Sequence, residues 1–136
     1  MNTNEHELGR GDSALDPRAR DVTNRVVGAA FDVSNGLGHG FLENVYQKAL
    51  GIEIELRGLR VEEQVAFPVS YKGRHVGTYV ADLVVERSVI VELKAAKALT
   101  QAHVGQTLNY LKASGIRVGL LFNFGRPKLE FRRLLL

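Results

Sequence analysis

The sequence predicts an α/β (α+β) fold in which helices flank a mixed β-sheet, and three observations carry this prediction. Apolar residues recur at helical spacing over about residues 21–57. The period then changes to two over about residues 65–93, as expected for three consecutive strands in a meander. A further helical segment and two short strands complete the order α-α-β-β-β-α-β-β.

Length and composition are those of one folded domain. The chain has 136 residues, of which 45% are hydrophobic and 24% are charged. Its apolar runs are too short to span a bilayer and its polar N-terminus is unlike a secretory signal, so we expect a cytoplasmic protein without a membrane partner. The absence of cysteine excludes disulfides, thiolate zinc sites and cysteine nucleophiles. A net charge of +3 permits nucleic-acid binding without requiring it.

A polar segment opens the chain. Residues 1–18 are rich in Gly, Asn, Asp, Glu and Arg and show no apolar period. This composition predicts a flexible N-terminal leader over residues 1–18 and a folded domain over residues 19–136.

Three helices are predicted. The first begins at Asp21 and ends at Asn35-Gly36, and the third runs from Gln101 to Ala113 behind Thr100, a good N-cap residue. The second runs from Phe41 to about Arg57, and its apolar stripe is the face that such a helix normally turns to the core. The stripe comprises Leu42, Val45, Ala49, Ile52 and Leu56.

Five strands are predicted between and after these helices. Three form the meander, with alternating residues from Val65 to Tyr71, then a second strand from His75 to Val85 and a third from Val89 to Leu93. A fourth strand, Val118 to Phe124, is almost continuously apolar and therefore buried, and the fifth runs from Lys128 to about Arg133.

The chemically informative residues lie on the second and third strands. Because side chains alternate along a strand, Glu92 and Lys94 share one face. If residues 86–88 form a three-residue loop, Val85 pairs with Val89, and Asp82 falls opposite Glu92 on the same side. Two carboxylates at that spacing repel each other unless a cation lies between them, and a hard divalent ion such as magnesium meets this requirement.

Five ordered motifs resemble those of a known family. Asp82 followed by Glu92-x-Lys94 is similar to the PD-(D/E)XK nuclease superfamily, and Gly40-Phe41-Leu42-Glu43-Asn44-Val45-Tyr46 resembles the motif of its GxxExxY branch. The likeness covers about residues 21–135, since it extends through Arg57-Gly58-Leu59, Ile90 to Ala95, Gln106-x-x-x-Tyr110-Leu111-Lys112 and Gly119 to Phe124. It implies a restriction-endonuclease-like fold and a Mg²⁺-dependent hydrolase, with Mn²⁺ as a substitute, that acts on phosphodiester bonds in DNA or RNA.

The resemblance also implies roles for particular residues. Asp82 and Glu92 correspond to metal ligands, Glu43 to a further acidic ligand, and Lys94 to the catalytic lysine. Gln106 and Tyr110 resemble a Gln-x-x-x-Tyr signature that orients the site or contacts nucleic acid, and their spacing places both on one helix face. We expect a homodimer, because so small a domain offers little surface to grip a duplex.

Structural alternatives stay open at this point. Glu43 could simply support the start of a helix, and Glu92 with Lys94 could be a solvated pair on an edge strand. Three aromatic or histidine residues are further candidates for orienting the site or contacting substrate, although core packing is the commoner role of such tyrosines: Tyr46, His103 and Tyr110. The alternative function is a catalytically silent module that keeps the nuclease fold and binds nucleic acid or protein.

Overall fold

The computed structural model describes residues 15–136 and contains three helices and a five-stranded sheet in this range. The helices are α1 (Pro17–Leu37), α2 (Glu43–Leu56) and α3 (Gln101–Ser114). The strands are β1 (Val61–Tyr71), β2 (Arg74–Val85), β3 (Val89–Lys94), β4 (Val118–Asn123) and β5 (Glu130–Leu135). They lie in sequential order, with β3 and β4 parallel and the other neighbours antiparallel. The predicted α+β class and order of elements are therefore confirmed.

Helix α1 begins at Pro17, earlier than the predicted start at Asp21. The Asp16 carboxylate accepts a hydrogen bond of 2.8 Å from the backbone N–H of Ala19, and the proline occupies the first turn, where its missing N–H costs nothing. Leu15 packs against the core just before this cap. Of the predicted leader, residues 1–14 lie outside the described residues, whereas residues 17 and 18 belong to α1.

The sheet separates two layers of helices. One face packs against α1 and α2 through the larger core cluster, and the opposite face packs against α3 through a smaller cluster. Strand β3 is central and almost completely buried, as expected of a strand covered on both faces. Within residues 15–136, no helix combines the length and apolar character that crossing a membrane requires.

The predicted core face of α2 is wrong. Its buried residues are Tyr46, Leu50, Gly51 and Ile54. Of the predicted stripe, only Ala49 packs against the core, and the other four residues are exposed. The Tyr46 ring stacks on Phe124 at 4.7 Å, so the buried face contributes an aromatic contact that the predicted stripe lacks. Hydrophobic periodicity therefore identified an apolar face of the helix, but not the face that is buried within residues 15–136.

In β1 and β2 the alternation of side chains between the two faces of the sheet is interrupted at the same level. Val61 packs on the α1–α2 side and Val65 on the α3 side, although strict alternation would place them on one face. Between them Gln64 has a φ of 51°, in the left-handed region that is costly for a residue other than glycine. The pairs Glu63 with Leu83 and Val65 with Ala81 lie on either side of Gln64 and Asp82, so these two residues lie at the same level of the sheet. This local irregularity directs the side chains of the candidate site.

Candidate functional site

The two predicted acidic ligands lie side by side between neighbouring strands. Val85 pairs with Val89, which confirms the predicted turn between β2 and β3. Each carboxylate accepts a hydrogen bond from a backbone N–H of the opposite strand. Oε1 of Glu92 accepts from Asp82 N at 3.0 Å, and Oδ2 of Asp82 accepts from Leu93 N at 2.9 Å. These reciprocal hydrogen bonds hold both carboxylates in one small patch.

Burial makes the charge of Glu92 costly. The residue is only 4% exposed, and its pKa is raised to about 9, first by burial and second by the neighbouring Asp82 charge. Lys94 opposes this rise only weakly. A buried carboxyl next to a second carboxylate either retains its proton or requires a cation beside it. The pair therefore has the electrostatic character of a cation site.

Lys94 ends β3 at the same patch, and its surroundings are fixed. Its Nζ lies 3.4 Å from Oε1 of Gln106 on α3. The segment that follows is held by Asn123, whose side chain bonds both the N–H and the carbonyl of Ala96, at 2.9 and 3.0 Å. Gly125 passes so close that a Cβ there would lie 2.3 Å from the Ala96 carbonyl oxygen. This packing limits where the Lys94 backbone can move.

Gln64 belongs to the site, although the sequence did not suggest it. Its amide Nε2 lies 2.7 Å from Oε1 of Gln47 on α2 and 3.4 Å from Oδ1 of Asp82. The left-handed backbone at this position costs roughly 1 kcal/mol relative to an ordinary strand conformation. The cost is consistent with a residue that is kept in place to orient the Asp82 carboxylate. A left-handed glutamine within a strand leaves no trace in hydrophobic periodicity.

Tyr110 lies near both carboxylates, on the same side of α3 as Gln106. Burial raises its pKa to about 12, and the charges of Glu92 and Asp82 contribute to the rise. Its ring packs edge-on against Tyr79 with centroids 5.2 Å apart. The Gln-x-x-x-Tyr pair predicted from the sequence therefore faces the carboxylate patch.

Two other residues predicted to orient the site, Tyr46 and His103, make contacts that order the local backbone. Tyr46 is fully buried, and its hydroxyl donates to the Gly38 carbonyl at 2.7 Å. Phe41 N donates to the same hydroxyl at 3.2 Å, so this tyrosine orders the loop before α2. The Nδ1 atom of His103 accepts a hydrogen bond from Thr100 N and completes a capping box with the Thr100 side chain.

Glu43, the third predicted acidic ligand, lies at the start of α2. Its Oε2 is 3.3 Å from the backbone N of Ala95, directly after Lys94. In the part of the chain that the structure describes, no three His, Asp or Glu side chains form a ready-made metal cluster. The close pair Asp82 and Glu92 nevertheless supplies an all-oxygen donor set, and Mg²⁺ is often held by one or two carboxylates together with water and substrate phosphate. The residues present therefore fit a magnesium ion.

Comparisons with known proteins bear on the family and the fold. A family model described as the PD-(D/E)XK nuclease superfamily matches residues 20–134. No curated protein shows significant similarity to the chain. Among solved structures, SSO0001 is similar with a TM-score of 0.53 and 17% sequence identity. The similarity covers 68% of this chain and 50% of SSO0001, so this chain spans only part of that structure, and at this identity the likeness shows the fold alone.

Proposed function

Because the chain belongs to the PD-(D/E)XK nuclease superfamily, we propose that it is a cytoplasmic, magnesium-dependent hydrolase of phosphodiester bonds in DNA or RNA. The observation that carries the proposal is the reciprocal pairing of Asp82 and Glu92 beside Lys94. The Gly40, Glu43 and Tyr46 spacing supports a place in the GxxExxY branch of the superfamily.

Asp82 and Glu92 would hold the ion, and Glu43, close by at Ala95, is the proposed third acidic ligand. When bound, Mg²⁺ or Mn²⁺ supplies positive charge to the phosphate and lowers the pKa of water. Glu92 must release its proton to serve as a ligand, so its raised pKa makes metal binding stronger as the pH rises. Gln64 keeps the Asp82 carboxylate oriented, because its amide lies against Oδ1.

Lys94 acts on the reacting groups themselves. Its ammonium orients the attacking water and offsets negative charge that develops on the phosphate oxygens. The water oxygen forms a bond to phosphorus while the bond from phosphorus to the leaving oxygen breaks. One proton of the water ends on the leaving oxygen, which yields a phosphate monoester and a hydroxyl. Gln106 positions the lysine through the contact at 3.4 Å, and Tyr110 borders the same patch.

The hairpin of β1 and β2 supports a nucleic-acid substrate. Residues 65–81 contain no acidic residue, whereas Lys72, Arg74 and His75 cluster at the hairpin tip beside Tyr71, which is 65% exposed. Lys and Arg attract phosphates, and exposed aromatic rings stack on bases. A homodimer, which we also propose, would add a second basic hairpin to the same assembly.

A cleavage panel tests the proposed activity. Single- and double-stranded DNA and RNA, labelled at either end, are incubated with the protein and Mg²⁺ or Mn²⁺, with EDTA as the matched control. We expect at least one substrate to be cut with metal and none to be cut with EDTA. Binding of nucleic acid without cleavage under every metal condition would contradict hydrolysis and favour the catalytically silent module.

A further inference from the structure

Helix α2 and its N-cap residue Leu42 carry a second apolar face, which residues 15–136 leave largely exposed. Leu42, Ile52 and Leu56 are 76%, 58% and 75% exposed, and Val45 is 37% exposed. Ala49, which is half-buried against the core, completes a pattern with spacings of three and four residues, the a and d positions of a coiled coil. Monomeric proteins rarely expose so many large aliphatic side chains on one face. We call these five residues the α2 stripe.

A groove beside the α2 stripe adds to this surface. It has a volume of about 310 Å³ and runs between α1 and α2, with Gly36 and Leu37 on one wall and Ala49 and Ile52 on the other. Leu37 is itself 38% exposed, and Phe41, at the adjoining loop, is 49% exposed. The small residues Gly36 and Ala49 leave room for an inserted side chain. The shape suits a helix that lies along α2.

We propose that the α2 stripe is the interface of a homodimer in which two α2 helices pack antiparallel across a two-fold axis. In this arrangement a positions face d positions, so Ala49 lies against the partner's Ile52 and Val45 against the partner's Leu56. Each layer then combines a smaller with a larger side chain. A parallel pair would instead place Ala49 against the partner's Ala49 and leave a gap.

Charge complementarity supports the antiparallel orientation. Lys48 flanks the α2 stripe with 72% of its side chain exposed, and Glu55 is exposed on the same edge of the helix. Antiparallel packing places Lys48 opposite the partner's Glu55, and the two-fold axis creates this pair twice.

Sedimentation velocity over a concentration series tests the interface with matched variants. We expect the wild type to sediment as a dimer, with a mass twice the 15.0 kDa of one chain. Ile52→Glu and Leu56→Glu should each weaken the dimer by about thirtyfold or more, because a charge would be buried without a partner. Val76→Glu, at a 62% exposed apolar position on the hairpin, should leave it unchanged. A monomeric wild type, or a dimer indifferent to both α2 variants, would overturn the interface.

A charge reversal tests the antiparallel register. Lys48→Glu should weaken the dimer, and Lys48→Glu combined with Glu55→Lys should restore it. The single variant also loses the ion pair of Lys48 with Glu63 at 3.1 Å, which Glu55→Lys cannot rebuild. Recovery therefore reports a contact between two chains, and a double variant as weak as the single one would refute the register. This interface rests on the proposed homodimer but not on hydrolysis, since an inactive protein could still dimerise and a monomer could still cut.

Discussion

Alanine at Lys94 is expected to reduce metal-dependent cleavage by about 10²–10³-fold while the protein stays folded. The ammonium is the cationic side chain on the carboxylate face of β3, and its loss removes charge that stabilises the developing phosphate oxyanion. Single-turnover rates at saturating Mg²⁺ measure the effect on the chemical step. Lys97→Ala, three residues further along the chain and exposed, is the matched control and should cut at the wild-type rate.

Asp82→Asn separates the metal site from the backbone contacts around it. The amide oxygen can still accept the hydrogen bond from Leu93 N, so the strands stay in register, but the charge is lost. We expect this variant to lose both cleavage and Mg²⁺ binding, whereas Lys94→Ala should lose cleavage and keep most Mg²⁺ binding. Undiminished cleavage in both variants would remove these residues from the mechanism.

The second large effect is on stability in the absence of metal. The pKa of Glu92 is about 9 in the folded protein against 4.5 for an ordinary glutamate. Between these pH values the unfolded chain has lost the proton that the folded protein retains, so the free energy of unfolding falls as the pH rises. Glu92→Gln removes this dependence and should stabilise the metal-free protein at pH 8 by on the order of a few kcal/mol.

Urea unfolding in EDTA at pH 5, 7 and 8.5 measures this effect. Glutamine keeps the oxygen that accepts from Asp82 N, so the substitution preserves the cross-strand contact. Saturating Mg²⁺ should reverse the order of stability, because it binds only the wild type. A Glu92→Gln variant that is less stable than the wild type at pH 8 in EDTA would show that the buried Glu92 carboxyl does not lower the free energy of unfolding of the metal-free protein.

The central geometry was accessible from the sequence because a short turn fixes the register of a hairpin. Once Val85 pairs with Val89, the relation of Asp82 to Glu92 follows from the two-residue period of strands. The same alternation predicts that Lys94 lies on the same face of β3 as Glu92. Turn length and register together therefore predicted which parts of β2 and β3 meet, whereas the interrupted alternation at the level of Gln64 and Asp82 was not predicted.

Other parts of the site and fold depend on contacts between distant residues. The face of α2 that packs inward is decided by Tyr46 against Phe124, and the helix carries two apolar faces between which periodicity cannot choose. Gln64 takes a left-handed backbone that side-chain patterns do not encode. Asn123 is the exception, since a buried amide in an apolar strand is a visible signal of a hydrogen-bonded loop.

A crystal structure of the protein soaked in Mn²⁺, with an anomalous difference map, tests most directly whether a divalent ion occupies the carboxylate patch. We expect a peak within about 2.5 Å of oxygens from both Asp82 and Glu92, and no peak in Asp82→Asn. A wild-type map without manganese at these oxygens, at a concentration that saturates any cleavage, would contradict the metal site and the hydrolase built on it.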